Sequence, residues 1–277
     1  MSSKNEPQAV TEADIPHWPR IMLIRPRTVL IAVAVLLVLS WALFLVIDIF
    51  KWIELGTDIP AWGFLFNVGP VEWSQWYMQT FAIVLCCFNY VFLIRANRRM
   101  AARFFLIFGA GLCFMLIEDT GDIRHVLSAT FRDQFGDEVF GLHYRFVADF
   151  PYFALLASLP AYAFLFYARH VWLSFRSRLH IFAGVSLYAL AAISSALRHF
   201  RDFYTRLGEW IDANILGFRF PIPDGLGQEW GYFYLVDGPL EETIEVLALT
   251  LIITAILAFT ANFRAGRLPA SGEETAN

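Results

Sequence analysis

The residues best suited to chemistry form a charged block that ends an apolar segment, in residues 104–125 (FFLIFGAGLCFMLIEDTGDIRH). On one continuous helix, Glu118, Asp122 and His125 would occupy positions i, i+4 and i+7 and share one stripe. The spacing Asp122-x-x-His125 can place a carboxylate and an imidazole on one metal ion, as Glu-x-x-His does in di-iron helix bundles. Such ligands suit iron, manganese or zinc better than copper(I). The pattern therefore predicts a metal site.

Charged groups border three other apolar segments in the same way. Arg198, His199, Arg201 and Asp202 follow segment 181–197, Glu241, Glu242 and Glu245 precede segment 246–262, and Glu72 precedes segment 73–94. Segment 104–117 has 14 uncharged residues, and segments 181–197 and 246–262 have 17 each. Because a helix needs about 20 residues to cross the hydrocarbon core, these charged turns should lie below the membrane surface. Ionisable groups at that depth usually face a partner or a water-filled cavity.

Four helices are thus predicted to bring charge to one depth on one side of the membrane. We expect five residues to be the metal ligands: Glu118, Asp122, His125, His199 and Glu245. We expect Glu72, Asp202 and Glu241 to bridge or support these ligands, and Arg124 and Arg198 to balance charge or hold an anionic substrate. Eight acids and three arginines meet there, so either some acids carry protons or a cation lies among them.

Two structural interpretations compete with a functional site. Residues 69–72 and 238–241 both read Gly-Pro-x-Glu. Proline suits the first position of a helix, and a glutamate in the first turn complements the helix dipole. Glu72 and Glu241 would then only start their helices. In the second interpretation, Arg124, Arg198 and Arg201 pair with the acids in a purely structural ion-pair network.

The elements that must position these residues are membrane helices. The chain has 277 residues, of which 58% are hydrophobic and 17% charged, whereas soluble domains are about 45–50% apolar and 25% charged. This composition predicts an all-α, polytopic membrane protein with six spans in one bundle, between a mobile tail 1–27 and a tail 265–277. The predicted spans are 29–50, 72–94, 102–125, 147–168, 179–202 and 239–262. The first apolar run is too long for a cleavable signal, so we expect it to remain as a span.

Positive charge predicts the orientation of these spans. With six spans, the two termini share one side with loops 95–103 and 169–178, and that side holds 13 of the 21 Lys and Arg residues. Because Lys and Arg in short loops mark the cytoplasmic face, both termini should be cytoplasmic. The opposite face has a net charge of −12, which attracts cations. We expect the protein to lie in a bacterial inner membrane.

The motif Gly69-Pro70-Val71-Glu72-Trp73 at the start of one span, with the acidic pair Glu118-Asp119 at the end of the next, resembles a broad group of uncharacterised bacterial multi-pass membrane proteins. The resemblance covers spans 2 and 3, and the second Gly-Pro-x-Glu extends it to span 6. It implies a multi-pass membrane fold and brings no activity with it.

These observations support three hypotheses about function. The first is a metal-dependent, oxidoreductase-like membrane enzyme that acts on a lipid-like substrate. The second is a proton- or cation-coupled transporter, for which few polar residues continue through the spans. The third is a non-catalytic subunit of a membrane complex. Membrane lipid, a lipid-like or cationic ligand, and a homo-oligomer or larger complex are the expected partners, and no nucleic acid is expected.

Overall fold

The structure is a computed structural model that describes residues 18–53, 60–67, 69–172, 178–196, 198, 201–222 and 226–267. Among these residues, six helical segments are long and apolar enough to cross a membrane, as predicted. They are Pro26–Ile49, Gly63–Arg95, Arg99–Gly121, Tyr144–Val171, Arg178–Ser195 and Gln228–Arg264. The protein is therefore a multi-pass helical membrane protein.

The described part of the chain contains nine α-helices and two short strands, with a 3-10 turn at Arg20–Leu23 and π-helical turns at Leu45–Ile49, Gly63–Asn67, Asp212–Leu216 and Val236–Leu240. In chain order the helices and strands are α1 Pro26–Phe44, α2 Pro70–Arg95, α3 Arg99–Gly121, α4 Ile123–Phe135, β1 Glu138–Val139, β2 Leu142–His143, α5 Tyr144–Trp172, α6 Arg178–Ala196, α7 Arg201–Ile211, α8 Gln228–Leu235 and α9 Glu241–Arg264. The two strands form an antiparallel hairpin that leads into α5.

Helix α9 is the centre of the bundle, and α1, α2 and α6 pack around it. It is buried on nearly every side, because the consecutive residues 252–257 are all buried, as expected of a core helix. Helix α3 packs between α2 and α5. Helix α5 is peripheral and leaves Leu165 and Phe166 exposed, which suits contact with lipid. The candidate site lies among these central helices.

Small residues allow α3 to approach both of its neighbours. A Cβ atom on Gly109 would lie 3.0 Å from the Cβ of Cys86 in α2, and one on Gly111 would lie 2.6 Å from the Cδ of Pro160 in α5. Helix α5 continues through Pro151 and Pro160. Such close contacts between small residues are a common way for membrane helices to associate.

The third span ends earlier than predicted, and this changes the site. Helix α3 stops at Gly121, and Asp122 adopts a left-handed conformation with φ 49° and ψ 36°. A separate helix, α4, begins at Ile123. The predicted span 102–125 is therefore wrong at its outer end. Glu118, Asp122 and His125 do not lie on one continuous helix, so the i, i+4, i+7 stripe predicted for them is absent.

The two Gly-Pro-x-Glu motifs have different structures. Pro70 occupies the first turn of α2, as predicted. Pro239 instead lies inside a π-helical turn, Val236–Leu240, which joins α8 to α9. The prediction that this motif starts the last span is wrong, because the helical run begins at Gln228. A Cβ atom on Gly238 would lie 2.4 Å from Oδ1 of Asn67, so a larger residue there would displace the Asn67 side chain.

Two further predicted boundaries need correction. The fifth helix ends at Ala196 rather than reaching residue 202. The predicted tail 1–27 is also too long, because residues 18–25 pack onto the bundle. Trp18 packs against Phe92 with ring centroids 4.4 Å apart, and Met22 is buried in the main core. Residues 1–17, part of the predicted tail, lie outside the described residues, as does most of the tail 265–277.

Candidate functional site

A cavity of about 560 Å³ lies among α2, α3, α5, α6 and α9. One part of its wall is apolar and includes Phe108, Leu112, Phe153, Phe164 and Val185. The other part carries eight carboxylates, two arginines and one histidine, which are Glu72, Glu118, Asp119, Asp122, Asp237, Glu241, Glu242, Glu245, Arg124, Arg198 and His125. The cavity is therefore amphipathic, with a strongly acidic end.

Arg124 and Glu118 form the first charged contact of the acidic end. The Nε of Arg124 lies 4.0 Å from Oε1 of Glu118, and both side chains are about 10% exposed. The backbone N–H of Arg124 donates to Oε2 of Glu118 at 3.2 Å, and the Tyr152 hydroxyl donates to the same oxygen. Glu118 thus accepts a bond from the first turn of α4, where a negative charge is favoured by the helix dipole.

Arg198 forms the second charged contact, with two carboxylates of the last helical run. Its Nε lies 2.5 Å from Oδ1 of Asp237, and its Nη2 lies 3.4 Å from Oε1 of Glu241. The short contact is an ion pair without hydrogen-bond geometry, since neither atom has a hydrogen-bond partner. Burial lowers the pKa of Arg198, but the charges of Glu241 and Asp237 raise it, and the net shift of this pKa is upward.

Four other carboxylates have no cationic partner within ion-pair distance in the part of the chain that is described. They are Glu72, Asp119, Glu242 and Glu245, from α2, α3 and α9. The Gln75 side-chain amide donates to Asp119 at 3.4 Å and also to Glu245. Oε2 of Glu242 is buried and has no hydrogen-bond partner. These four residues, the acidic cluster, are the uncompensated part of the cavity wall.

A network of buried hydrogen bonds contacts the acidic cluster. The Gln79 side-chain amide donates to Asp119 and to the Tyr188 hydroxyl, the latter at 2.8 Å. The Tyr188 hydroxyl lies 3.4 Å from Oδ2 of Asp119. Gln75 and Gln79 are 3% and 0% exposed, so these amides hold the carboxylates in fixed positions. The network is incomplete among the described residues, because Oε1 of Gln79 is buried without a hydrogen-bond partner, which is costly for a buried polar group.

Of the five predicted metal ligands, Glu118, Asp122, His125 and Glu245 all line this cavity, but among the described residues they do not form one ligand group. Asp122 and His125 contact each other, but both side chains are at least half exposed, and Glu118 turns towards Arg124. Glu245 lies in the acidic cluster, while His199 lies outside the described residues. Of the predicted supporting residues, Glu72, Glu241, Arg124 and Arg198 line the cavity, and Asp202 is exposed and does not.

No group of three His, Cys, Asp or Glu side chains that could hold a metal ion occurs among the described residues. Asp122 and His125 form a pair without a third ligand, which is insufficient for the predicted site. The predicted iron, manganese or zinc ion stays a prediction.

Several residues that complete the cavity were missed as site residues from the sequence. Asp119 and Glu242 were counted among the acids, and Asp237, Gln75 and Tyr188 were not considered. One signal was available, since Asp237, Glu241 and Glu245 recur every four residues and so share a helical face. This spacing was overlooked because the proline at position 239 indicated that the helix starts there.

The comparisons with known proteins give no further information on this site. No family model matches the chain, and no curated protein or solved structure shows significant similarity to it. The resemblance of the Gly-Pro-x-Glu motif to other multi-pass proteins therefore stays a prediction.

Proposed function

We propose that this protein binds an amphiphilic cation in the cavity between α2, α3, α5, α6 and α9. The observation that carries the proposal is the acidic cluster: four carboxylates with no cationic partner in the described part of the chain, at the charged end of a cavity whose other end is apolar. Like charges that converge in a low-dielectric site repel each other strongly. A bound cation would remove this repulsion.

The remainder of the cavity favours an organic cation over a bare metal ion. Its volume of about 560 Å³ falls within the range of small-molecule sites, roughly 300–1,000 Å³. Trp76, Phe108 and Tyr188 line it, Tyr188 lies next to Asp119, and aromatic faces attract cations. Apolar residues of α5 and α6 would accept a hydrocarbon body. The expected ligand carries an ammonium-type charge on a lipid-like chain.

Direct binding tests this proposal. Radiolabelled decyltrimethylammonium is titrated onto the purified protein in lipid nanodiscs, with empty nanodiscs as background and decanol as neutral competitor. We expect saturable binding that decanol does not displace. Glu245→Gln or Glu242→Gln should weaken it at least about tenfold, which corresponds to about 1.4 kcal/mol. Glu209→Gln, which changes an exposed glutamate of α7, is the matched control and should bind like the wild type.

The proposal fails if binding does not saturate above the nanodisc background. It also fails if the two cluster variants and Glu209→Gln bind equally well, because the carboxylates would then contribute nothing. Displacement by decanol would show that only the apolar part of the cavity is used.

A metal-dependent, oxidoreductase-like enzyme that acts on a lipid-like substrate is the second candidate. In its favour, Gln75 donates to both Asp119 and Glu245, so that two carboxylates converge on one point. Elemental analysis of protein purified without chelators tests it. One equivalent of iron, manganese or zinc that is lost in Glu245→Ala and Asp119→Ala would support a metal. The same analysis of Glu118→Ala and His125→Ala tests the ligands predicted from sequence.

A proton- or cation-coupled transporter has less support. Beyond Gln79, α2 buries Ala82, Leu85 and Cys86 before the next polar pair, Asn89 with Thr260. A transport path would have to open through this apolar layer. Proton uptake into liposomes that contain the protein measures transport directly. Uptake that is abolished by Glu245→Gln would favour the transporter over the other two candidates.

We also propose that both termini are cytoplasmic and that the cavity lies near the extracytoplasmic face of a bacterial inner membrane. The support is the excess of Lys and Arg, 13 of 21, on the side of the termini. Fusions of alkaline phosphatase and green fluorescent protein to residue 267 and to the α4–β1 connection test it. Phosphatase activity of the C-terminal fusion would contradict the proposed orientation and indicate the opposite one.

A further inference from the structure

A second cavity, of about 120 Å³, lies next to the first and has the opposite charge. Its wall carries four arginines, Arg124, Arg132, Arg145 and Arg198, and one carboxylate, Asp149. We call it the basic cavity. Arg124 and Arg198 also line the acidic cavity, so that the two cavities share a wall.

Two helices position the basic side chains. Residues 124, 128 and 132 follow one another at intervals of four in α4 and therefore face the same side, and residues 145 and 149 do so in α5. The guanidinium groups of Arg132 and Arg145 each lie 5.9 Å from the centre of the Tyr144 ring. Arg145 also donates from Nε to the Tyr144 hydroxyl at 3.1 Å. The arginines are thus held in place.

The positive charge of the basic cavity is only partly neutralised. Arg124 and Arg198 have carboxylate partners in the acidic cavity, and Arg132 lies 3.7 Å from Asp133. In the described part of the chain, Arg145 has no carboxylate within 4 Å, and Asp149 accepts a hydrogen bond from Ser128 instead. Nε of Arg124, a residue 8% exposed, has no hydrogen-bond partner.

We propose that the basic cavity binds an oxyanion of the phosphate type, from a lipid headgroup or from free phosphate. Arginine is well suited to this role, because its planar guanidinium offers several donors in the geometry of phosphate oxygens. The proposal does not rest on the proposed cation site, although the two cavities share a wall. Because Arg124 and Arg198 belong to both walls, an anion bound here would lie beside any ligand of the acidic cavity.

Two binding measurements test the proposal and separate the two sources. Inorganic phosphate is titrated onto the full-length protein in phosphatidylcholine nanodiscs by calorimetry. Retention of phosphatidic acid, mixed into the same nanodiscs, is measured by native mass spectrometry. Arg145→Gln should weaken the affinity for the phosphate source that binds, by about tenfold to hundredfold. This is the effect expected when one charge-assisted hydrogen bond is lost. Arg206→Gln, at an exposed arginine of α7, is the matched control.

A second variant covers the case that Arg145→Gln does not fold. Asp149→Asn removes the only carboxylate found in the wall of the basic cavity and keeps an acceptor for Ser128, so it should strengthen anion binding about tenfold. Binding of inorganic phosphate that Arg145→Gln weakens and Asp149→Asn strengthens identifies free phosphate as the source. Retention of phosphatidic acid without binding of inorganic phosphate identifies a lipid headgroup. Binding of neither, or equal binding by wild type, Arg145→Gln and Asp149→Asn, overturns the proposal.

Discussion

Replacing Arg198 by methionine should destabilise the protein strongly, because this one side chain neutralises two buried carboxylates. Asp237 and Glu241 have side chains that are 12% and 9% exposed, and Arg198 itself is 19% exposed. Removal of one partner from a buried ion pair costs about 3–5 kcal/mol, since a charge is left without compensation. With two carboxylates affected, we expect a loss at the upper end of this range for Arg198→Met.

Unfolding in mixed micelles with increasing amounts of sodium dodecyl sulfate, followed by circular dichroism, measures this loss. The triple variant Arg198→Met, Asp237→Asn, Glu241→Gln removes the cation together with both charges. It should recover most of the stability, because a neutral pair in place of a buried ion pair is often tolerated. Arg206→Met is the matched control, and a substitution at an exposed site should change the free energy of unfolding by less than about 0.5 kcal/mol.

Two results would refute this reasoning. A loss of less than about 1 kcal/mol in Arg198→Met would mean that solvent already screens the carboxylates, as it does for surface ion pairs. A triple variant no more stable than Arg198→Met would mean that the methionine harms packing and that the charges are not responsible.

Three further predictions concern the fold around the site. Gly111→Ala should cost about 1–3 kcal/mol of stability by forcing α3 away from Pro160, whereas Gly227→Ala, with open space around it, should be neutral in the same unfolding assay. Asp48→Ala should cost about 2–4 kcal/mol, because two buried backbone N–H groups, 2.9 and 2.8 Å from its oxygens, lose their acceptor; Asp48→Asn, which keeps one acceptor, should cost less. Burial, and then a neighbouring carboxylate, raise the pKa of Tyr204 to about 12, so its contribution to stability is complete below its ordinary pKa near 10 and is lost as pH rises towards 12. Tyr204→Phe should remove this alkaline loss, and ultraviolet absorbance of the phenolate should follow the titration; an unchanged stability profile in this variant would contradict the assignment.

The membrane-spanning architecture was predictable from the sequence because it depends on local composition. Apolar runs of sufficient length must be helical in a membrane, where each backbone polar group has to be satisfied within its own segment. The same argument, applied to segments that were one turn too short, located the charge at one end of the bundle. Glu72, Glu118, Glu241, Glu245, Arg124 and Arg198 do line one cavity.

The pairing of these charges was not predictable in the same way. Asp122 could have continued α3, but the chain turns there, and the Glu118 carboxylate accepts from the first turn of α4. Pro239 was taken as the start of a helix, although the run from α8 to α9 accommodates it in a π-helical turn. Both outcomes depend on contacts between residues that local propensity does not report.

The sequence alone thus determined that this protein spans a membrane with six helices and concentrates its charge at one end of them. Only the tertiary structure decided which acids are neutralised by Arg124 and Arg198 and which four remain uncompensated. The physical reason is that burial of a charge depends on length and hydropathy along the chain, whereas its partner is set by how neighbouring helices rotate and pack against each other. For the same reason, two carboxylates of the acidic cluster, Asp119 and Glu245, accept hydrogen bonds from amides of α2, which no spacing in the sequence indicates.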